Sequence, residues 1–163
     1  MRLFFLFFLF HTMTPEYKNP TLVKSYFASI KITSLAVNQK FNFLDLPQLR
    51  NAFVYAIETY TASSITIAPD GTTIVPIATG INFTLIDRNT RNEFIRQCPA
   101  LSFNRNANNG RLFTFKARQI DWQSSGISLS SIAGLAVNQS IGFNIYYMDD
   151  KPQSKPNATR RRN

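Results

Sequence analysis

Between residues 21 and 148 the chain is broken into short runs of β-branched and aromatic residues, each closed by Gly, Pro, Asn or Asp within ten or so positions. Runs so short cannot carry the long faces of a helical bundle, and their even spacing predicts an all-β antiparallel sandwich, jelly-roll-like, or a barrel. Residues 27–33, 40–44, 51–60, 64–68, 72–77, 81–86, 93–96, 111–117, 126–130 and 141–147 read as strands. Alternation places Phe41 and Phe43 on one face. It also places Phe53, Tyr55, Ile57 and Thr59 on one side, against Ala52, Val54, Ala56, Glu58 and Tyr60 on the other. Pro69, Asp70 and Gly71 predict a hairpin turn, and the polar residues 87–92 predict another. Pro76 removes a ladder donor, which suits an edge. Helical spacing competes at Leu22, Val23, Tyr26, Phe27 and Ile30, and again at Leu49, Phe53, Ala56, Ile57 and Tyr60. Aromatic and β-branched content favours strand for the second segment, and the first stays open.

The string LAVNQ occurs twice, at residues 35–39 and 135–139, each time followed by a strand containing Phe. Asn tolerates the left-handed conformation, so two turns of the same chemistry are expected. If the strands behind them lie side by side near one end, the echo fits a closed sandwich.

A length of 163 residues gives one domain, expected at 13–150 between a hydrophobic segment at 1–12 and a basic tail at 151–163. With 44% hydrophobic residues, 15 Phe and 6 Tyr, the body has ample apolar surface to fold. A single cysteine, Cys98, excludes a disulfide scaffold and reads as a small buried apolar residue. The net charge is +9, from 18 Lys and Arg against 9 Asp and Glu. Six of those nine charges belong to Arg2, Lys151, Lys155, Arg160, Arg161 and Arg162, so the body is close to ordinary.

The tail has two prolines, one sign of charge and no apolar periodicity, the composition of a disordered, solvated arm. Lys151, Lys155, Arg160, Arg161 and Arg162 form either a solubilising end or a non-specific contact to nucleic acid phosphates. At the other terminus the run LFFLFFLF at 3–10 is too short to cross a bilayer as a helix. It reads as residues upstream of a start at Met13, as a secretion signal without a small-residue cleavage site, or as an arm meeting lipid or a neighbouring subunit.

Catalytic constellations are scarce. His11 is the only histidine and lies outside the body, which denies the body an imidazole base or a Ser-His-Asp triad. Phosphate-loop, dinucleotide and zinc spacings are absent from the sequence, and no metal or cofactor is expected. The string YMDD at 147–150 resembles a polymerase metal motif but ends the last strand, so two solvated acids are expected there. Carboxylate pairs remain conceivable for hydrolysis, Asp87 with Glu93 or Glu58 with Asp121. Arg88, Arg91, Arg96, Arg105, Arg111, Lys116 and Arg118 face one acid, Glu93, within their stretch, and predict a positive field or a solvated set of hairpin ends. Trp122, the only tryptophan, reads as core or as a sugar-stacking platform.

The strings LPQLR at 46–50, IE at 57–58, APDG at 68–71, NEFI at 92–95, Pro99, SFNR at 102–105, NGRLF at 109–113 and IDW at 120–122 carry a resemblance. Over roughly residues 27–148 the chain resembles small single β-sandwich structural proteins of tailless icosahedral bacteriophages. The hydrophobic segment and the Arg-rich tail lie outside that pattern. The resemblance implies a coat or vertex protein of the virion, assembled symmetrically around a genome and an internal membrane where there is one.

The expected function is therefore non-enzymatic: self-assembly in a virion with other virion proteins, the tail near viral nucleic acid and residues 1–10 near lipid. The alternative is a secreted carbohydrate-binding or adhesive sandwich using Trp122, Tyr146 or Tyr147. A small hydrolase built on Glu58, Asp87, Glu93 and Asp121 comes third.

Overall fold

The computed structural model describes residues 24–61, 67–68, 71–76 and 79–149. Residues 1–12 and 151–163, with the five tail cations, lie outside the described residues. The described residues form nine strands: β1 (Lys24–Lys31), β2 (Lys40–Asn42), β3 (Phe53–Tyr60), β4 (Thr73–Ile74), β5 (Ile81–Ile86), β6 (Glu93–Pro99), β7 (Phe113–Arg118), β8 (Gly126–Leu129) and β9 (Gln139–Met148). Short 3-10 turns occupy Pro47–Leu49 and Ala100–Phe103. The described residues of both segments with competing helical spacing are extended, in β1 and β3, except Leu49, which closes the Pro47–Leu49 turn.

One sheet has the order β1-β9-β3-β7 and the other β2-β8-β5-β6, with the two-residue β4 running parallel to β9 beside them. Setting β4 aside, strands pair first with last and inward from there: β1 with β9, β2 with β8, β3 with β7, β5 with β6. That is one long hairpin rolled into two layers, the jelly-roll form of the antiparallel sandwich. The hairpin expected around residues 69–71 is present in part, as an antiparallel bridge between Ile67 and Thr73. Pro76 stands two residues beyond β4, after the Val75 N–H has donated to Ser140.

The LAVNQ strings settle into equivalent places. Asn38 and Asn138 both have positive φ, at 67° and 66°. In each turn the Gln N–H closes back on the Ala carbonyl, Gln39 to Ala36 and Gln139 to Ala136. Asn38 N–H donates to Leu129 O and Leu129 N–H to Gln39 O; Asn138 N–H donates to Ile32 O and Ile32 N–H to Gln139 O. Each turn is thus tied to the strand end that precedes the other. The following strands, β2 and β9, enter different sheets rather than lying side by side.

The faces expected for 51–60 need correction. The register of β3 against both neighbours shifts between Val54 and Ala56, a β-bulge at Tyr55. One extra residue reverses the alternation, so Val54, Ile57 and Thr59 share the inner face, opposite Tyr147, Ile145 and Phe143. Glu58 and Tyr60 fall on the outer face, in register with Asn144 and Gly142.

Between the sheets the core is a chain of aromatic rings. Trp122 meets Phe43 edge to face at 5.1 Å, and Phe43 meets Phe143 at 5.0 Å. Phe143 stacks on Phe83 at 4.9 Å, Phe83 meets Phe103 at 5.2 Å, and Phe103 meets Phe113 at 4.4 Å. Leu49, Ile57, Leu85, Leu129 and Ile145 fill in around them. Gly126 lets β2 approach β8: a Cβ there would sit 2.1 Å from Phe41 O.

The antiparallel register sorts the connections into two groups. One end carries the connections β1–β2, β3–β5, β6–β7 and β8–β9. The other carries β2–β3, β5–β6 and β7–β8, together with the start of β1 and the end of β9.

Candidate functional site

Two constellations stand out, and neither is a catalytic set that sequence reasoning named. The first lies on the outer face of the β1-β9-β3-β7 sheet. Glu58 is only 7% exposed although it points away from the core. Its Oε2 accepts from the hydroxyls of Tyr146 at 3.0 Å and Tyr60 at 3.3 Å, and Arg105 Nε stands 3.2 Å away. Arg105 also donates through Nη2 to the Tyr146 hydroxyl at 3.0 Å. Phe27 lies beside Tyr60 at 5.9 Å and Tyr55 beside Tyr146 at 6.4 Å. Burial, reinforced by the Glu58 carboxylate, raises the pKa of both Tyr60 and Tyr146, so both hydroxyls stay protonated donors at neutral pH. The group is a carboxylate shielded by aromatic rings and pinned from a loop by one arginine.

The second lies at the end formed by the β2–β3, β5–β6 and β7–β8 connections. A cleft of about 350 Å³ is lined by Asp45, Arg50, Arg88, Arg91, Asp121 and the edge of Trp122, among others. Arg50 pairs with Asp45 at 2.9 Å and Arg91 with Asp121. Arg88 donates to Arg50 O and to Asn51 Oδ1, and no carboxylate pairs with it among the described residues. Asp87, next in the chain, is buried. Its Oδ1 accepts from the N–H groups of Asn89 and Thr90 at 2.9 Å each, and its Oδ2 from Arg118 at 3.2 Å. Burial alone would push this carboxyl up, but those donors outweigh it and hold it below the usual aspartate range.

The expected sites fare unevenly. Each of the four proposed hydrolytic carboxylates has its own cation: Glu58 with Arg105, Asp87 with Arg118, Glu93 with Arg96, Asp121 with Arg91. The seven-cation stretch is therefore less of a field than expected, because four of its members are neutralised locally. It is also divided: Arg105 and Arg111 belong to the β6–β7 connection and Arg88 and Arg91 to the opposite end. Trp122 is 4% exposed, donates toward Leu49 O at 3.4 Å and fills core, so it offers no stacking face. Tyr147 faces inward against the core, whereas Tyr146 is on the open face. Cys98 is half-buried rather than buried, a free thiol packed beside the core. Asp149, just past β9, forms an ion pair with Lys24 at the start of β1, and Asp150 lies outside the described residues. Among the described residues no three His, Cys, Asp or Glu side chains gather as a metal site.

A third feature is apolar. Six large hydrophobic side chains are exposed among the described residues: Val37, Leu44, Ile67, Leu101, Ile132 and Val137. All but Leu44 lie in the four connections at one end, where the LAVNQ turns present Val37 at 56% and Val137 at 46% exposure.

Compared with protein-family models, with curated proteins and with solved structures, the chain finds no significant match.

Proposed function

We propose that this chain is a non-enzymatic structural protein of a virus particle, a capsid or vertex jelly roll that assembles with copies of itself and with other virion proteins. The observation that carries the reading is the exposed apolar end. Val37, Val137, Ile132, Ile67 and Leu101 are all exposed on connections at one end of the sandwich, and exposed hydrophobics gathered on one surface mark interaction sites. The jelly roll supports it by analogy, since viral coat domains use this architecture, as do lectins. The cationic residues Lys151, Lys155, Arg160, Arg161 and Arg162 serve as an arm for phosphates, those of the genome in the simplest form of the reading. The protein then acts in the virion and needs no cofactor.

Analytical ultracentrifugation of the full chain tests this. Symmetric oligomers or particles are expected, dissociating when Val37→Asp and Val137→Asp are combined. A protein that stays monomeric at high concentration, with or without nucleic acid, rejects the reading. The carbohydrate-binding alternative retains one supporting observation, the open-face group of Tyr60, Tyr146, Glu58 and Arg105. Glycan binding abolished by Tyr146→Ala in a monomeric protein would favour it.

A further inference from the structure

The three connections at the end opposite the exposed valines are tied to one another by the backbone. Asp87 and Ile120 form an antiparallel bridge, flanked by Arg88 N–H donating to Gln119 O and Asp121 N–H to Ile86 O, both at 2.9 Å. The β5–β6 and β7–β8 connections are thereby stitched together. The β2–β3 connection joins them through the Trp122 indole N–H on Leu49 O at 3.4 Å and Gln119 Nε2 on Asn51 O at 3.1 Å. The cleft of about 350 Å³ at this end has the volume of a small-molecule site. Its apolar members, Leu46, Ile120 and Trp122, are buried, so what it presents is charge, amide and hydroxyl.

The charges in it do not balance. Arg50, Arg88 and Arg91 stand against Asp45 and Asp121, and the pairs Arg50–Asp45 and Arg91–Asp121 leave one guanidinium over. Arg88 is held through Nη1, on Arg50 O and Asn51 Oδ1. Its Nε and Nη2, an edge able to take a carboxylate through two parallel bonds, donate to no group among the described residues. A second copy of the described body has no spare acid to offer. Each of its six carboxylates, Asp45, Glu58, Asp87, Glu93, Asp121 and Asp149, already has a cation.

We propose that this cleft binds a sugar acid, a single carboxylate on a ring of hydroxyls, as in a uronate or sialate. Arg88 takes the carboxylate, and Asp45 and Asp121 accept from ring hydroxyls in charge-assisted bonds. The same two carboxylates decide what is refused. A phosphate dianion or a run of nucleic acid phosphates would bring several negative charges past Asp45 and Asp121 with one spare guanidinium to meet them. A neutral sugar leaves Arg88 without a partner, and acetate brings no hydroxyls. Because the three connections are already fixed to one another, little ordering opposes binding. The site goes beyond the assembly reading and does not depend on it, since contacts at the apolar end lie at the far side of the sandwich. It is also separate from the open-face group around Tyr146.

The test is saturation-transfer NMR of the full-length protein, titrated with glucuronate for the free acid and with sialyllactose for the same chemistry at the end of a glycan. Transfer to at least one is expected, with glucose, lactose and acetate about tenfold weaker and inorganic phosphate failing to compete. Arg88→Gln should weaken binding about tenfold with unchanged far-ultraviolet dichroism, and Arg88→Lys, which keeps the charge but not the fork, by less. Asp45→Asn frees Arg50 and should let phosphate compete, a gain that needs no Arg88 variant to fold. Arg111→Gln at the opposite end, Tyr146→Ala on the open face, and Val37→Asp combined with Val137→Asp should leave binding unchanged. The proposal is overturned if neither probe binds, if glucose or lactose binds as tightly as the acids, if phosphate displaces them from the parent, or if folded Arg88→Gln binds normally. Loss of binding in Tyr146→Ala also overturns it, by moving the sugar to the open face. Oligomers are read independently by ultracentrifugation, so failure of sugar binding leaves the assembly reading standing.

Discussion

Glu58 shows how much a single residue can depend on chain far from it. Its partners Arg105 and Tyr146 are 47 and 88 positions away, and only the β3–β9 register and the β6–β7 loop bring them together. Sequence could place a carboxylate in a strand but could not supply those neighbours, and the bulge at Tyr55 put Phe53 and Tyr55 with the wrong companions. Trp122 was easier, since an isolated tryptophan among apolar strands most often finds a core. At the centre of the ring chain, Phe83→Ala should cost about 3–5 kcal/mol in urea denaturation, because its contacts on Phe43, Phe103 and Phe143 are lost together. Asp87 makes a prediction in pH. Its carboxyl is held below the usual range when folded, so its stabilisation is full above the ordinary aspartate pKa and is lost as pH falls through the lowered value. Asp87→Asn should be less stable than the parent near neutrality. The difference should shrink between about pH 5 and pH 2, as read from denaturation midpoints across that range.

Among the elements, those with clean alternation were legible. β5 runs from Ile81 to Ile86 with buried residues at Ile81, Phe83 and Leu85, as period-two patterning requires, whereas β8 and β9 keep large buried residues at Ile127 and Leu129 and at Ile141, Phe143 and Ile145 but also bury the small Gly126, Ser140 and Gly142 between or beside them. The open question at residues 22–30 resolves as strand over its described part because β1 is an edge zipped along its whole length to β9, a pairing that no local spacing reveals. The LAVNQ turns are the most informative local elements, since one residue type meets one backbone demand twice. Asn38→Gly and Asn138→Gly should be tolerated. Asn38→Ala and Asn138→Ala should each cost about 1 kcal/mol, for the left-handed conformation disfavours a Cβ. Equal costs in thermal denaturation would show the two turns to be equivalent in energy as well as in hydrogen bonding.

For the whole molecule, the jelly-roll pairing makes the first strand depend on the last. A polypeptide whose outermost strands must meet before the sheet is complete closes large loops and folds slowly, on the millisecond to second scale typical of sandwiches. Stopped-flow refolding of the described body should show this, and truncation before β9 should leave no cooperative transition, because β9 bridges β1 and β3. Assembly belongs to this scale too: the opposed ends, one rimmed with valine and isoleucine and one with paired charges, give the particle reading a direction, with neighbours at the apolar rim.

The contact between Lys24 and Asp149 has one more consequence. Residues so close can be joined by a short peptide linker, and the polypeptide reopened in the β8–β9 connection at the exposed Gly134, at the opposite end of the sandwich. A circular permutant made this way should keep every sheet neighbour while moving both new ends to the far end of the sandwich, so that any activity dependent on chain leaving beside Lys24 and Asp149 would vanish from an otherwise intact fold.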